Sequence, residues 1–146
     1  MIKIERSALV PYAAAQMYAL VNDIERYPEF MHGCLAAEIL ERDESVLVGK
    51  LTLGRAGFRY SFTTRNELIP YEGMNMSLVD GPFKCFSAEW QFKALTDTAC
   101  KVSLSMSFEW AGGLLGGAME KLFQQSANSL VDSVVERAHK LYGSHD

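Results

Sequence analysis

Seven stretches of this chain alternate apolar with polar residues, and one long stretch repeats its apolar residues at intervals of three and four. The alternation is cleanest near the end of the strand-like region. There Val102, Leu104, Met106, Phe108 and Trp110 interleave with Lys101, Ser103, Ser105, Ser107 and Glu109. A period of two predicts a strand with one dry and one wet face. Further strands are predicted over 2–10, Ala36–Arg42, Val46–Leu53 and Phe58–Leu68. Two more carry Met74, Met76 and Leu78, and Phe86, Ala88, Trp90 and Phe92, on their dry faces. Asp43-Glu44-Ser45, Gly54-Arg55-Ala56-Gly57, Pro70–Gly73, Asp80-Gly81-Pro82 and Thr96-Asp97-Thr98 supply the turns. After the first strand, Pro11 leads into a predicted helix, Tyr12–Val21. Asp23 caps a second, short one that Pro28 ends, because the residue before proline avoids the helical region.

The three-and-four repeat lies between Gly112 and Tyr142. Met119, Leu122, Phe123, Ser126, Ala127, Leu130, Val131, Val134, Ala138 and Leu141 share one helical face, and Glu120, Lys121, Asp132, Glu136, Arg137 and Lys140 fall mostly on the other. One strand, two small helices, six antiparallel strands and a long helix make an α+β domain, with a curved seven-stranded sheet wrapped around the last helix. The aromatic residues Phe58, Tyr60, Phe62, Phe83, Phe86, Trp90, Phe92, Phe108 and Trp110 mostly point to one side of that sheet. The middle of the helix offers small residues, Ser126, Ala127 and Ser129. Rings opposite small side chains either interdigitate into a packed core or leave an apolar cavity. The pattern leaves both open.

Length and composition narrow this little further. A chain of 146 residues, 49% hydrophobic and 22% charged, is expected to form a single domain spanning 1–146. It has no apolar run long enough to cross a bilayer. It begins at once on Ile2-Lys3-Ile4-Glu5 without a leader pattern, which reads as cytoplasmic. Cys34, Cys85 and Cys100 lack any pair spacing and read as reduced thiols. The scattered His32, His139 and His145 do not suggest a metal site. The net charge of −4 gives no global reason to expect DNA or RNA.

The search for chemistry finds no nucleophile elbow and no His-Glu-x-x-His pair. Tyr60, Cys34 and His32 are the polar groups nearest the predicted interior or its mouth. Gly112, Gly113, Gly116 and Gly117 do not fit a phosphate loop. They read as a joint into the helix, or as a gate on which Leu114, Leu115 and Met119 swing over a cavity mouth or touch a membrane. Lys50, Arg55, Arg59 and Arg65 lie in or beside one hairpin. They form a small basic stripe, either a solvated face or a patch for RNA or phospholipid.

Several segments carry a family resemblance. They are Asp23-Ile24-Glu25-Arg26-Tyr27-Pro28-Glu29-Phe30 with Cys34 shortly after, and Asp80-Gly81-Pro82-Phe83 leading to Trp90-Gln91-Phe92 ahead of the long helix. The chain resembles the coenzyme Q-binding, polyketide cyclase/dehydrase-like branch of the START-like superfamily, and within it the bacterial ribosome association toxin group. The resemblance implies a helix-grip fold of the START-like and Bet v 1-like kind, with a hydrophobic tunnel between sheet and helix. Carried to this chain, the tunnel is walled by Phe58, Tyr60, Phe62, Phe83, Phe86, Trp90, Phe92, Phe108, Leu115, Met119, Phe123 and Ser126, and Tyr60 or Cys34 meets a polar head. Tyr27, Pro28, Phe30, Cys34, Gly81 and Pro82 are the family-marked positions. A Pro-Trp-Cys step common in the family reads His32-Gly33-Cys34 here.

Three functions follow from the resemblance. The first is a non-catalytic carrier of ubiquinone or another isoprenoid lipid that supports respiration, with transient contact at the bacterial inner membrane. The second is a toxin, with or without an antitoxin partner, that binds the large ribosomal subunit and blocks subunit joining. The third is a cyclase or dehydratase, which needs an acid–base group inside the tunnel.

Overall fold

The computed structural model describes residues 1–55, 57–111 and 116–143. The elements are β1 (Ile2–Val10), α1 (Ala14–Asn22), a 3-10 helix (Ile24–Glu29), β2 (Cys34–Arg42), β3 (Val46–Arg55), β4 (Phe58–Ile69), β5 (Gly73–Asp80), β6 (Phe83–Thr96), β7 (Ala99–Trp110) and α2 (Gly116–Tyr142). The strands form one antiparallel sheet in the order β1-β7-β6-β5-β4-β3-β2. Strands adjacent in sequence are adjacent in space from β2 to β7, and β1 closes the far edge against β7, with Ile2 beside Phe108 and Val10 beside Cys100.

The predicted architecture holds; several boundaries move. β2 begins at Cys34 and β3 runs on to Arg55, because the Gly54 N–H donates to the Gly33 carbonyl and the β3–β4 ladder continues to the pair Arg55–Phe58. The predicted turn thus shrinks towards Gly57, whose φ is +89°. α1 begins at Ala14 rather than Tyr12, with the Gln16 side chain accepting from the Ala13 N–H at 3.0 Å. Pro28 does not end the short helix, which continues to Glu29. Proline's fixed φ near −65° suits a 3-10 helix, and so short a helix has few internal bonds for it to break.

The dry face of the sheet and the dry stripe of α2 meet as expected. Trp90, Phe92, Val102, Leu104 and Phe108 are buried from the sheet side, and Phe123, Ala127, Val131, Val134 and Ala138 from the helix side. α2 is also tied along its length. Arg6 donates to Asn128 at 2.8 Å, Tyr12 hydrogen-bonds with His139, and Arg137 donates to Glu29 at 3.0 Å.

Candidate functional site

The site is the sheet–helix interface, and its centre is filled by rings. Phe123 of α2 lies 4.8 Å from Phe108, 5.0 Å from Phe83, 5.6 Å from Phe62 and 6.2 Å from Phe86, centroid to centroid, all edge-on. These are attractive aromatic geometries. Five of the predicted wall residues therefore pack against one another, and among the described residues the tunnel implied by the resemblance has a solid middle.

Outside the interface, a surface groove of about 650 Å3 is lined by Ala14 of α1, Ile69 and Tyr71 at the β4–β5 turn, and Glu89, Gln91 and Lys93 on the outer side of β6 beside Trp90 and Phe92. Tyr71, at the tip of the β4–β5 turn with a φ of +66°, lays its ring 5.7 Å from that of Tyr18. Trp90 and Phe92 stack in parallel, 6.1 Å apart. At the end of the interface beside the start of α2, an opening of about 200 Å3 is lined by Arg55, Phe58, Ala118, Lys121 and Leu122. Met119 is half-buried on the same early part of α2, and Leu114 and Leu115, the proposed gate, lie outside the described residues.

Among the described residues, two hydroxyls inside the interface have no partner. The hydroxyls of Tyr60 and Ser126 are buried and make no hydrogen bond. Tyr60 sits on β4 beside Leu53 of β3, which sits beside Cys34 of β2, so the three side chains share a row on the dry face. Ser126 faces the loop that leads into this row. A Cβ placed on Gly33 would come within 2.9 Å of Ser126 Oγ. Burial pushes the Tyr60 phenol well above its ordinary pKa, so it stays a neutral donor. Burial likewise raises the Cys34 thiol to about 11, and its S–H donates to the Ala36 carbonyl. That thiol is protonated at neutral pH and is not a nucleophile. His32 heads the same loop, and nothing in the structure gives it a functional partner.

The family-marked residues other than Cys34 make local packing contacts. The buried Tyr27 hydroxyl donates to the Val21 carbonyl, and the Phe30 ring meets Tyr27 edge-on at 5.3 Å. The Arg137 guanidinium lies 5.5 Å from the centre of the Phe30 ring while holding Glu29. Pro28 stands within this bolt between the 3-10 helix and α2. Gly81, at a φ of +154°, lets the turn lie directly on Phe62; a Cβ there would sit 2.7 Å from that side chain. Pro82 offers its carbonyl to the Ala111 N–H at 2.9 Å.

The basic stripe divides. Lys50, Arg59 and Arg65 do share the outer face of the sheet, opposite Thr63, Gly54 and Val48. Acidic residues interrupt them: Glu38 stands beside Lys50, Asp80 beside Thr63, and Glu67 lies 3.9 Å from Arg65. Arg55 belongs elsewhere. It follows Leu53 on the inner side of β3 and lines the smaller opening together with Lys121. Sequence reasoning grouped Arg55 with the stripe because it read 54–57 as a turn, and it assigned Lys121 to the solvent face of the helix. The spacing Ala118, Lys121, Leu122 held the signal, since residues three and four apart share a helix face.

Among the described residues no group of three or more His, Cys, Asp or Glu is placed to hold a metal ion, and no described helix is long and apolar enough to cross a membrane.

Known proteins resemble the chain over nearly its whole length. A family model described as polyketide cyclase / dehydrase and lipid transport matches residues 10–135. The ribosome association toxin RatA of Pseudomonas aeruginosa is 45% identical over 140 residues, 96% of this chain and 97% of that one. The mitochondrial coenzyme Q-binding protein of Dictyostelium discoideum is 24% identical, over 96% of this chain and 70% of its own length. Among solved structures, the Zhui aromatase/cyclase of a Streptomyces species superposes with a TM-score of 0.78 at 21% identity, covering 95% of this chain and 94% of that one, a likeness of fold.

Proposed function

The chain belongs to the polyketide cyclase/dehydrase and lipid transport family, and from that premise we propose that it acts by binding rather than by catalysis, as a ribosome association factor. The observation that carries this reading is the 45% identity, over almost the full length, to a protein named for ribosome association. The interior agrees with a non-catalytic role. The titratable groups buried on the dry face of the sheet, Tyr60, Cys34 and Cys100, are held protonated by burial, and proton transfer at neutral pH needs a group poised near 7. Adding the purified chain to separated ribosomal subunits should lower the joined-ribosome peak on a sucrose gradient and raise the free large subunit, with the chain co-sedimenting. An unchanged profile at several-fold molar excess would sink the proposal. If the outer face carries the contact, R59E/R65E should reduce the slope of log affinity against log salt by about 2. An unchanged slope removes that face from the mechanism.

A second reading, compatible with the first, is that the interface holds a hydrophobic small molecule such as a quinone or lipid. The orphan hydroxyls of Tyr60 and Ser126 favour it, since a buried hydroxyl without a partner costs about 1–3 kcal/mol that a ligand oxygen would recover. Tyr60→Phe should therefore stabilise the ligand-free protein by about 1 kcal/mol in urea unfolding and weaken ligand binding. A variant that is less stable than the parent would show that the hydroxyl is already satisfied.

A further inference from the structure

One end of the sheet–helix interface is charged. Arg55 closes β3 and pairs with Phe58 at the start of β4, and both line the opening of about 200 Å3 beside the first turns of α2. Across from them stand Ala118, Lys121 and Leu122. The walls made by Phe58, Ala118 and Leu122 are apolar. Arg55 and Lys121 are exposed, and among the described residues neither joins an ion pair. The opening also has a direction. Leu122 is one turn before Ser126 on α2, and both approach Gly33, at 3.3 Å and 2.9 Å from the place of its missing Cβ. Phe58 is two residues before Tyr60 on the same side of β4. Behind the charged rim, then, comes an apolar step, and behind that the two unpartnered hydroxyls.

We propose that this end of the interface binds a single-chain amphiphile with an anionic oxygen head, a carboxylate or a phosphate monoester. The head sits between Arg55 and Lys121, and the chain enters past Phe58 and Leu122 towards Tyr60 and Ser126. The inference rests on the hydrophobic-ligand reading and adds to it a charge and a point of entry. Charge complementarity selects the head: the planar guanidinium of Arg55 matches either oxyanion, and a neutral quinone ring would leave both cations without a counter-charge. The opening is smaller than the 300–1,000 Å3 typical of sites that enclose a whole drug-sized ligand, so it takes the part of the chain next to the head. An RNA strand could use the same two cations, but these apolar walls offer a base edge no hydrogen-bond partner.

The test is a set of titrations of the delipidated full chain, below micelle-forming concentrations, followed by tryptophan fluorescence; Trp110 lies against Tyr60 at 5.2 Å and reports on this end. The probes are oleate, lysophosphatidate, oleyl alcohol and a short-tailed ubiquinone. At least one of the two anions should bind about tenfold more tightly than the alcohol. R55E/K121E should abolish that advantage and leave the alcohol unchanged, the loss expected for two exposed charge contacts. Oleate and lysophosphatidate distinguish carboxylate from phosphate. Equal binding of anions and alcohol, or anion binding indifferent to charge reversal, overturns the inference and leaves the hydrophobic-ligand reading standing. Failure of every probe to bind folded protein overturns both. Loss of ribosomal binding in R55E/K121E with amphiphile affinity intact would assign the corner to RNA and overturn the inference.

Discussion

Phe123→Ala should destabilise the protein by about 3–5 kcal/mol, the cost of removing a fully buried ring whose neighbours cannot close the gap. Four other phenylalanines meet this one ring, and it is the helix's main contribution to the middle of the interface. For a chain of this length that loss lowers the melting temperature by about 10 °C or more. Urea unfolding monitored by circular dichroism measures it, with Phe123→Leu as the control that keeps most of the volume. If alanine costs less than about 1.5 kcal/mol, the middle of the interface is loosely filled and the solid core described above is wrong. The same variant has a functional corollary. Removing the ring should leave apolar space in the middle of the interface, so that small apolar ligands bind the folded variant more tightly than the parent.

Gly33→Ala is expected to cost about 2 kcal/mol. The residue holds a φ of +80°, where a side chain strains the backbone by about 1–2 kcal/mol, and its new methyl would press on Ser126 Oγ and Leu122. Ser126 is fully buried and cannot swing away. Denaturation of the single and double variants separates the two causes. Ser126→Ala should recover the steric part of the loss, giving a coupling of about 0.5–1 kcal/mol between neighbours in contact. Strict additivity would mean that only backbone strain is at stake. The position matters because the resembling family commonly carries tryptophan before the cysteine. In this chain such a ring would displace α2 from the end where the orphan hydroxyls lie.

The parts of the fold that follow a period were legible in the residues. Alternation from Lys101 to Trp110 predicted both the extent and the dry face of β7, and the repeat from Met119 to Ala138 predicted the buried stripe of α2. What the pattern could not supply was volume. Whether Phe62, Phe83, Phe86, Phe108 and Phe123 fill the space between the layers or surround it depends on curvature and ring orientation, and no one-dimensional pattern records these. The resemblance implies a tunnel; in the structure five rings pack together at its centre, and a small opening lies beside the start of α2. The charged rim was hidden for a different reason. Read as part of a turn, Arg55 has no face; extending β3 by two residues puts it on the same side as Leu53, since residues two apart along a strand share a face. Gly33 was noticed only as a departure from a family step. Its physical meaning, close approach to Ser126, requires two residues far apart in sequence to be seen together.

The edge where β1 meets β7 has a consequence for how the chain is made. Every other strand pairs with its neighbour in sequence and can zip up locally, but Ile2 must wait for Phe108. Closing so long a loop is slow, and contacts of this separation are expected to place folding in the range of milliseconds to seconds. A chain emerging from its own synthesis would therefore hold an unpaired first strand until β7 is made, and a bare aromatic face until α2 follows. The molecule acquires its binding surfaces together and late, and an incomplete copy is exposed to strand-edge aggregation rather than to partial activity.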